Sequence, residues 1–284
     1  MSQIFNRTYR LVFGLAGQPG AQITGLRVAF KVEKHDGASA NTATIKVWNL
    51  SKTTRELAQQ SNAIVQLFAG YGDNAPLIFL GAITRVTEED DGVNSVTTIH
   101  SGKATTGAAP LSTTINGQAF ARDVLGKAIE PLQAIGVDVT AVPNKPIAAP
   151  RGITLSGEPG AVLNKLTRAN NLDWWIEDGV VTVAPRGFAT QDTAFVISPQ
   201  SGLEGSPRPI KPSKDVGGSR LSVELTARLN AEFRVRRILQ VANTRELAGW
   251  YLIRRILHEG DTWATGSKSW SSTVEATPIQ ARTN

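Results

Sequence analysis

Apolar and polar residues alternate along much of the first hundred positions, which is the period of a strand with one buried face. In the first clear strand, one face carries Leu26, Val28, Phe30 and Val32, and the other carries Arg27, Lys31 and Glu33. The same pattern predicts strands at 44–50, 63–69, 77–87 and 93–100. Before the strand at 63–69, Thr53-x-x-Glu56 has the pattern of a capping box and predicts one short helix. Residues 1–103 are therefore predicted to form a small β barrel or sandwich.

From about residue 104 the apolar spacing becomes helical, and a short pattern repeats. Thr114–Gln118 and Thr154–Glu158 match at a distance of 40 residues, and each precedes a predicted helix. Between them, Pro143–Pro150 is too rich in proline to be helical. Trp174–Glu177 and Val180–Ala184 have the pattern of a hairpin around Asp178-Gly179. Residues 104–198 are predicted to be a middle α+β domain of two related units.

Proline and glycine are frequent in residues 199–217, which are predicted to be a linker rather than a core element. Alternation then resumes and predicts strands at 220–226, 232–241, 249–258 and 269–276. The predicted fold class is mainly β with an α+β insert. Two β-barrel or sandwich domains, 1–103 and 218–284, flank the middle domain.

Composition excludes several functions and favours none strongly. The net charge is +6, but Lys and Arg are scattered, so the charge alone is weak support for nucleic-acid binding. The chain has no cysteine, and its three histidines lie far apart, so we expect no metal site and no cofactor. No apolar run suggests a signal peptide or a membrane-spanning segment. The acidic run Glu88–Asp91 is interpreted as a solvated hairpin end.

One cluster, His258-Glu259-Gly260-Asp261, is compatible with catalysis. It lacks the His-Glu-x-x-His spacing that places two imidazoles on one helical face. It falls at a predicted strand end, where a turn stabilised by the Asp261 side chain is the favoured interpretation. No catalytic residue is assigned. The alternative is a cell-wall hydrolase or peptidase that uses His258 with Glu259 or Asp261, and it would need a nucleophile or metal nearby.

Two aromatic or basic pairs are candidate interface residues. Trp174 and Trp175 are neighbours in a strand, so one indole is expected in the core and the other could anchor an interface. Arg236-Arg237 and Arg254-Arg255 are predicted to lie within strands, so each pair would place one guanidinium on each face. A core-facing Arg needs a carboxylate partner, for which Glu224 and Glu275 are candidates. The other member of each pair could face solvent, another subunit or a channel.

Three runs of sequence, taken in order, resemble the tail hub, or baseplate hub, proteins of tailed bacteriophages and contractile injection systems. The first combines Asn49-Leu50-Ser51, Ala69-Gly70-Tyr71-Gly72 and Gly81-x-Ile83. The second is Ser201–Pro207. The third joins Gly249–Ile253, His258–Thr262 and Trp270–Ala276. The segment Leu229–Arg237 departs from the family pattern, since it lacks the Asn-Pro and the Gly found there in many hubs.

The resemblance implies a mechanical role in a virion tail, assembled in the host cytoplasm. Hubs of this family are trimers in which each subunit supplies two tube-like β domains. The resulting ring of six adapts a hexameric tail tube to a trimeric spike and surrounds the channel for DNA ejection. The implied partners are further copies of the chain, the tail tube, spike and tape measure proteins and other baseplate proteins, with DNA passing unread.

The resemblance also suggests a position for the arginines, since a hub surrounds the path of the DNA. At least one of Arg236, Arg237, Arg254 and Arg255 is expected to face the lumen or a subunit boundary. A basic nucleic-acid-binding module that uses the same Arg pairs remains an alternative. The sequence does not distinguish a contractile from a non-contractile tail.

Overall fold

The computed structural model describes residues 6–15, 18–36, 41–102, 108–116, 121–134, 138–141, 152–190, 193–211, 222–266 and 269–279. The chain divides into two compact units. Unit 1 combines residues 1–36, 41–102 and 189–284, and unit 2 contains residues 37–40 and 103–188. The structure is mainly β with few helices, which confirms the predicted fold class.

The first β module is the N-terminal part of unit 1. Its elements are β1 (Arg7–Leu15), β2 (Ala21–Ile23), β3 (Val28–His35), β4 (Thr42–Trp48), α1 (Lys52–Ala58), β5 (Ala63–Tyr71), β6 (Leu77–Asp91) and β7 (Asn94–Ser101). All of their pairings are antiparallel. Alternate residues of β3 and β4 are buried, as the period of two predicts.

The run Asn49-Leu50-Ser51 turns the chain from β4 into α1. Asn49 has a left-handed φ of 58°, which Asn tolerates better than most residues, and its side-chain oxygen accepts from the backbone N–H of Ser95 at 3.1 Å. Leu50 is buried. Ser51 is the N-cap, because its hydroxyl accepts from the Thr54 N–H at 3.2 Å. The capping box predicted at Thr53 was therefore wrong by two residues.

The run Ala69-Gly70-Tyr71-Gly72 forms the tight end of the β5–β6 hairpin. A Cβ on Gly70 would lie 2.0 Å from the carbonyl oxygen of Asn74, so only glycine fits there. Gly72 has a left-handed φ of 59°. The Tyr71 and Asn74 backbones close the turn with hydrogen bonds of 3.0 and 3.1 Å.

The second β module is the C-terminal part of unit 1 and begins earlier than the sequence suggested. Its strands are β13 (Phe195–Ile197), β14 (Leu203–Ile210), β15 (Ser222–Arg228), β16 (Ile238–Val241), β17 (Gly249–Asp261) and β18 (Trp270–Pro278). A 3-10 helix, Pro199–Ser201, precedes β14. The described part of the predicted linker, residues 199–211, is thus not irregular: it contains the 3-10 helix and β14, which pairs with β15, and the prolines and glycine of β14 fall at a register shift and on an edge strand, where they are tolerated.

The strand predicted at 232–241 is confined to its last four residues, β16. The preceding residues form turns, in which Glu232 N–H donates to the Asn230 side-chain oxygen at 2.8 Å. Arg236 has a left-handed φ of 63°, which a regular strand does not allow. The Arg236-Arg237 pair is therefore in a turn, and the prediction that it lies mid-strand was wrong.

The two β modules have the same strand order. Neighbouring strands follow the order β3-β4-β7-β6-β5-β1 in the first module and β14-β15-β18-β17-β16-β13 in the second. One difference is that β13 runs parallel to β16, whereas β1 runs antiparallel to β5. Strand β3 pairs with β17, which joins the modules into one sheet. Leu229 and Trp270 of the second module also belong to the apolar core of the first.

Unit 2 contains the order strand–helix–strand twice, and in each repeat the two strands belong to different sheets. Its elements are β8 (Leu111–Ile115), α2 (Ala121–Gln133), β9 (Asp138–Ala141), β10 (Ile153–Gly157), α3 (Pro159–Ala169), β11 (Leu172–Glu177) and β12 (Val180–Pro185). The repeated segments pair antiparallel, with Thr114 opposite Thr154 and their hydroxyls 3.1 Å apart. The matching sequences thus lie about a local twofold axis. The proline-rich segment 143–150 lies outside the described residues.

Candidate functional site: the paired hairpins and the module joint

The two modules carry matched hairpins, β6–β7 and β17–β18. In each, one residue is skipped in the register: Thr84 in the first hairpin and Arg254 in the second. After that irregularity, both hairpins pair without a further shift, starting from Arg85↔His100 in the first and from Arg255↔Glu275 in the second. Arg85 therefore corresponds to Arg255. Glu89 in β6 therefore corresponds to Glu259 in β17. Positions in one module can therefore be matched residue by residue to positions in the other.

The joint between the modules is the antiparallel pairing of β3 with residues 255–261 of β17. Lys31 lies opposite Glu259, with their charged groups 3.8 Å apart. Gly260 lies opposite Phe30, and a Cβ on Gly260 would come within 2.3 Å of the Phe30 ring. The close approach of these two backbones therefore requires glycine at position 260.

A buried group of charges lies beside this joint. One carboxylate oxygen of Asp36 is 2.9 Å from the Arg254 guanidinium and 3.3 Å from that of Arg236. Arg236 is only 2% exposed. Its guanidinium also donates to the Asp36 backbone carbonyl at 3.3 Å. Removing one partner from such a group is costly, because it leaves charge buried without compensation.

The other two arginines of the predicted set also have carboxylate partners. Arg255 forms an ion pair with Glu33, and Arg237 pairs with Glu232 at 2.6 Å. The sequence had proposed Glu224 as a partner, but Glu224 is paired with Arg208. The pairing of Arg255 with Glu33 follows from the β3–β17 joint, which no local pattern reveals, whereas Arg237 and Glu232 are only five residues apart.

His258 is buried beside the joint and is not accessible to a substrate. Its exposure is 1%, and its Nδ1 lies 2.8 Å from the Ser272 hydroxyl. Burial and the nearby charge of Lys34 lower the pKa of His258 to about 3, so the imidazole is neutral at physiological pH. An imidazole with so low a pKa is a weak general base, and its burial keeps it out of reach of a substrate's proton.

Asp261 stabilises the turn after β17, as the sequence predicted. Its carboxylate accepts from the backbone N–H groups of Trp263 at 2.9 Å and Ala264 at 3.3 Å. Partial burial works to raise the pKa of Asp261, but the hydrogen bond from Arg27 and those from the turn hold it below its ordinary value. Arg27 lies 2.9 Å from the carboxylate and stacks 4.0 Å from the Trp48 ring.

The ends of both hairpins expose apolar side chains that the sequence analysis did not single out. Val93, between β6 and β7, is fully exposed, and Trp263, after β17, is 70% exposed. Val93 follows the acidic run, whose Asp91 carboxylate accepts from the Trp48 indole N–H at 3.2 Å. The available signal was the large apolar residue Trp263 between the two strands predicted at 249–258 and 269–276, whereas Val93 falls at the start of the strand predicted at 93–100.

Trp174 and Trp175 are both buried, with exposures of 5% and 3%. Trp174 packs in the apolar core of unit 2, and its indole N–H donates to the Asn164 side chain at 2.9 Å. Trp175 points to the opposite face of β11, where it is also covered. Neither indole is therefore free on the surface of the described chain, which removes the argument for an interface anchor here.

Among the described residues, no group of three His, Asp or Glu side chains comes together in a way that could hold a metal ion. Within the same part of the chain, no helix combines the length and the apolar character needed to cross a bilayer.

Several solved structures have this fold over nearly the whole chain. A tail protein from Neisseria meningitidis MC58 matches with a TM-score of 0.65 at 8% identity, covering 95% of this chain and 96% of that protein. The 43 kDa tail protein of prophage MuSo2 from Shewanella oneidensis matches with a TM-score of 0.63 at 10% identity, covering 95% and 97%. A type VI secretion system component from E. coli, described as similar to the T4 bacteriophage tail proteins gp27 and gp5, matches with a TM-score of 0.61 at 9% identity, covering 95% and 77%.

No protein-family model and no curated protein matches the chain. Identities this low establish the fold and not the activity. The chain therefore has the fold found in phage tail proteins and in a type VI secretion component.

Proposed function

We propose that this chain is a structural protein of a bacteriophage tail or a related injection machine, and that three copies form its hub. The observation that carries the proposal is the shared strand order of the two β modules within one unit. Three copies would supply six similar modules, which can match a sixfold tube on one side while the threefold symmetry matches a spike on the other. The fold of the tail proteins above supports the same class of role.

The proposed partners are other copies of the chain, the tail tube protein, the spike protein, the tape measure protein and other baseplate proteins. The exposed hairpin ends at Val93 and Trp263 are proposed contact points for a neighbouring protein, with Trp263 the stronger of the two because tryptophan is enriched among the residues that dominate binding energy. DNA would pass through the ring without sequence-specific contacts. The proposed location is the virion tail at the baseplate, after assembly in the host cytoplasm.

Of the four arginines proposed to face the lumen or a subunit boundary, Arg236 and Arg255 differ most in exposure. Arg236 is buried, whereas the Arg255 side chain is 34% exposed beside Glu33. We therefore expect Arg255, rather than Arg236, to face the lumen or a subunit boundary. Its ion pair with Glu33 moderates its charge, which suits a surface past which DNA must slide.

Two observations weaken the alternative functions. The hydrolase alternative depended on His258, which is buried and neutral. The nucleic-acid-binding alternative depended on free Arg pairs, and each of the four arginines has a carboxylate within 3.3 Å. A basic surface for nucleic acid would need those cations to be available to phosphate.

Native mass spectrometry of the purified chain, alone and with adjacent tail proteins, tests the proposal. We expect a species of three chains, each of 30.4 kDa. Electron microscopy of the particle should then place a threefold ring between the tube and the spike. A chain that enters the particle as a monomer or a dimer would contradict the hub role.

A further inference from the structure

At the joint between the two modules, an edge strand of the first module pairs with a strand of the second module, which we call the docking strand. Each of these two strands has a counterpart in the other module, and the pairing of the counterparts is different. Strand β3 is the edge strand and β17 is the docking strand. By the shared strand order, β14 corresponds to β3, and β6 corresponds to β17. Among the described residues, β14 pairs with β15 alone, and residues 83–91 of β6 pair with β7 alone.

The strands that pair at the joint are more buried than their counterparts in the other module. In β17, residues 255–261 alternate between half-buried and buried. In β6, the corresponding residues 85–91 are half-buried or exposed, and the last four are all exposed. Strand β14 likewise has four exposed residues where β3 has one. The first module therefore presents a docking position, and the second presents an edge to fill it.

We propose that β14 of one copy pairs antiparallel with β6 of a second copy, in the register that β3 adopts on β17. The inference rests on the proposed assembly of several copies, and it assigns the surfaces that join them. Mapping the joint through the paired strands of each module places Arg208 opposite Glu89 and Ile210 opposite Thr87.

The charges on the two free strands agree with this register. Lys31 and Glu259 form an ion pair at the joint within one chain, and their counterparts, Arg208 and Glu89, again have opposite charges. Residues 88–91 of β6 are all acidic, whereas β14 and the residue after it carry Arg208 and Lys211. Glu204 is the exception, since the register places it opposite Asp91. The Asp91 carboxylate is engaged by the Trp48 indole, which limits the repulsion.

Proline at position 209 reduces the number of backbone hydrogen bonds in this arrangement. In the template joint, the Val28 carbonyl accepts from Thr262 N–H and the Asp36 N–H donates to the Arg254 carbonyl, each at 3.0 Å, so the even-numbered residues of β3 face the docking strand. Pro209 is the counterpart of Val32 and would face the second copy with a carbonyl but no N–H. The Glu88 N–H could donate to that carbonyl, whereas the Glu88 carbonyl would receive no hydrogen bond from Pro209, so this proline opposes unselective pairing and the affinity of the contact must come from its other backbone bonds and its charges.

The proposed contact joins two different surfaces, so it is head-to-tail and each copy can bind two others. A head-to-tail contact gives a ring when its rotation closes and a filament when it does not. Because the contact repeats the joint already present within the chain, each step around the ring would be alike. Six such steps are three chains, which is the closed hub proposed above.

Engineered cysteines test the register. Because the chain has no native cysteine, any disulfide must form between the introduced residues. The pair Thr87 and Ile210 corresponds to a non-hydrogen-bonded pair, where Cα atoms lie about 4.5 Å apart and a disulfide can form. The double variant Thr87→Cys/Ile210→Cys should give covalent dimers and trimers under mild oxidation. Each single variant should give none, because the contact is head-to-tail. The variant Glu88→Cys/Ile210→Cys is the matched control, since its thiols fall on opposite faces of the sheet.

Charge reversal provides a second, independent measurement on the same pair. Arg208→Glu or Glu89→Arg alone should raise the dissociation constant of the oligomer by about tenfold or more, because like charges would face each other. Combining the two should restore most of the affinity. The double variant separates the contact between copies from the ion pair that Arg208 makes with Glu224 in its own chain.

The outcomes distinguish the inference from the proposed function. A trimer that crosslinks through Thr87→Cys/Ile210→Cys and not through the control supports both. A trimer without that crosslink, or crosslinking of a single variant, overturns the β14–β6 pairing and leaves the hub role standing. A chain that stays monomeric up to its solubility limit, even with its tail partners present, overturns both.

Discussion

At the scale of single residues, His258 shows how burial removes chemistry that a sequence motif suggests. The imidazole lies next to Ser272, a pair that resembles part of a hydrolytic site, but burial keeps substrates away from it and desolvation lowers its pKa until it is a weak base. Lys34 adds to this effect, since a second positive charge nearby disfavours protonation. The role of His258 is therefore in packing between β17 and β18.

The lowered pKa of His258 predicts a loss of stability on acidification. The pKa falls from 6.5 to about 3 on folding, so between these values the unfolded state binds the proton and the folded state does not. Stability from this group is complete above pH 6.5 and decreases as the pH falls toward 3. In His258→Asn, whose amide can keep the bond to Ser272, the melting temperature should fall less between neutral pH and about pH 5 than in the unmodified chain.

Thermal unfolding monitored by circular dichroism across that pH range provides the measurement. Working above about pH 5 separates His258 from most carboxylates, which titrate at lower pH. Equal slopes for the variant and the unmodified chain would mean that His258 is not buried as a neutral group.

At the scale of elements, α1 shows how a short helix depends on one cap. Only seven residues long, it has little intrinsic stability and needs its end groups satisfied. The Ser51 hydroxyl bonds the Thr54 N–H, whereas Thr53 is an exposed residue inside the first turn. The two residues therefore have different roles despite their similar chemistry.

Ser51→Ala should destabilise unit 1 by about 1 kcal/mol, since it removes the cap. Thr53→Ala is the matched control and should change stability by less than about 0.5 kcal/mol. Chemical denaturation of the two variants side by side gives both values. A larger effect for Thr53→Ala would favour the capping box that the sequence suggested over the cap in the structure.

At the scale of the whole molecule, the β3–β17 joint and the shared core make the two β modules one folding unit. Trp270 of the second module packs 5.1 Å from the Phe30 ring of the first, and its indole N–H donates to the Gly70 carbonyl at 3.2 Å. Because the second module contributes Leu229 and Trp270 to the core of the first, we expect the two modules to unfold in a single transition.

Gly260→Ala should destabilise both modules together by about 1 to 3 kcal/mol, because the added methyl overpacks Phe30 and Trp270. Gly126→Ala is the control in α2 of unit 2. It meets no atom within 4 Å there and should be neutral or slightly stabilising. Calorimetry measures both. If Gly260→Ala split the transition of unit 1 in two, the modules would be less coupled than their shared core indicates.

How far sequence predicted structure depends on the range of the interactions. Alternation along β3 and β4, the helix after Asn49-Leu50-Ser51 and the repeat in unit 2 are local, and each was found. The strand β14 was missed because its prolines and glycine are typical of loops, and its edge position, which tolerates them, is not visible locally. The turn at Arg236 was also missed. It lies between β15 and β16, where the first module has α1 between β4 and β5, but its sequence has no helical pattern and was interpreted as part of a strand.

The sequence by itself determined that this is a mainly β chain with an α+β insert and two β modules, because the period of side-chain burial is written into neighbouring residues. It also determined the turn at Asp261, whose side chain bonds its own backbone neighbours. Only the tertiary structure decided which carboxylates pair with the arginines, that His258 is buried, and which strand edges remain open. The pairs at the β3–β17 joint join residues that are far apart in sequence, as Glu33 and Arg255 are at a separation of 222 positions, and contact at that distance is set by the fold.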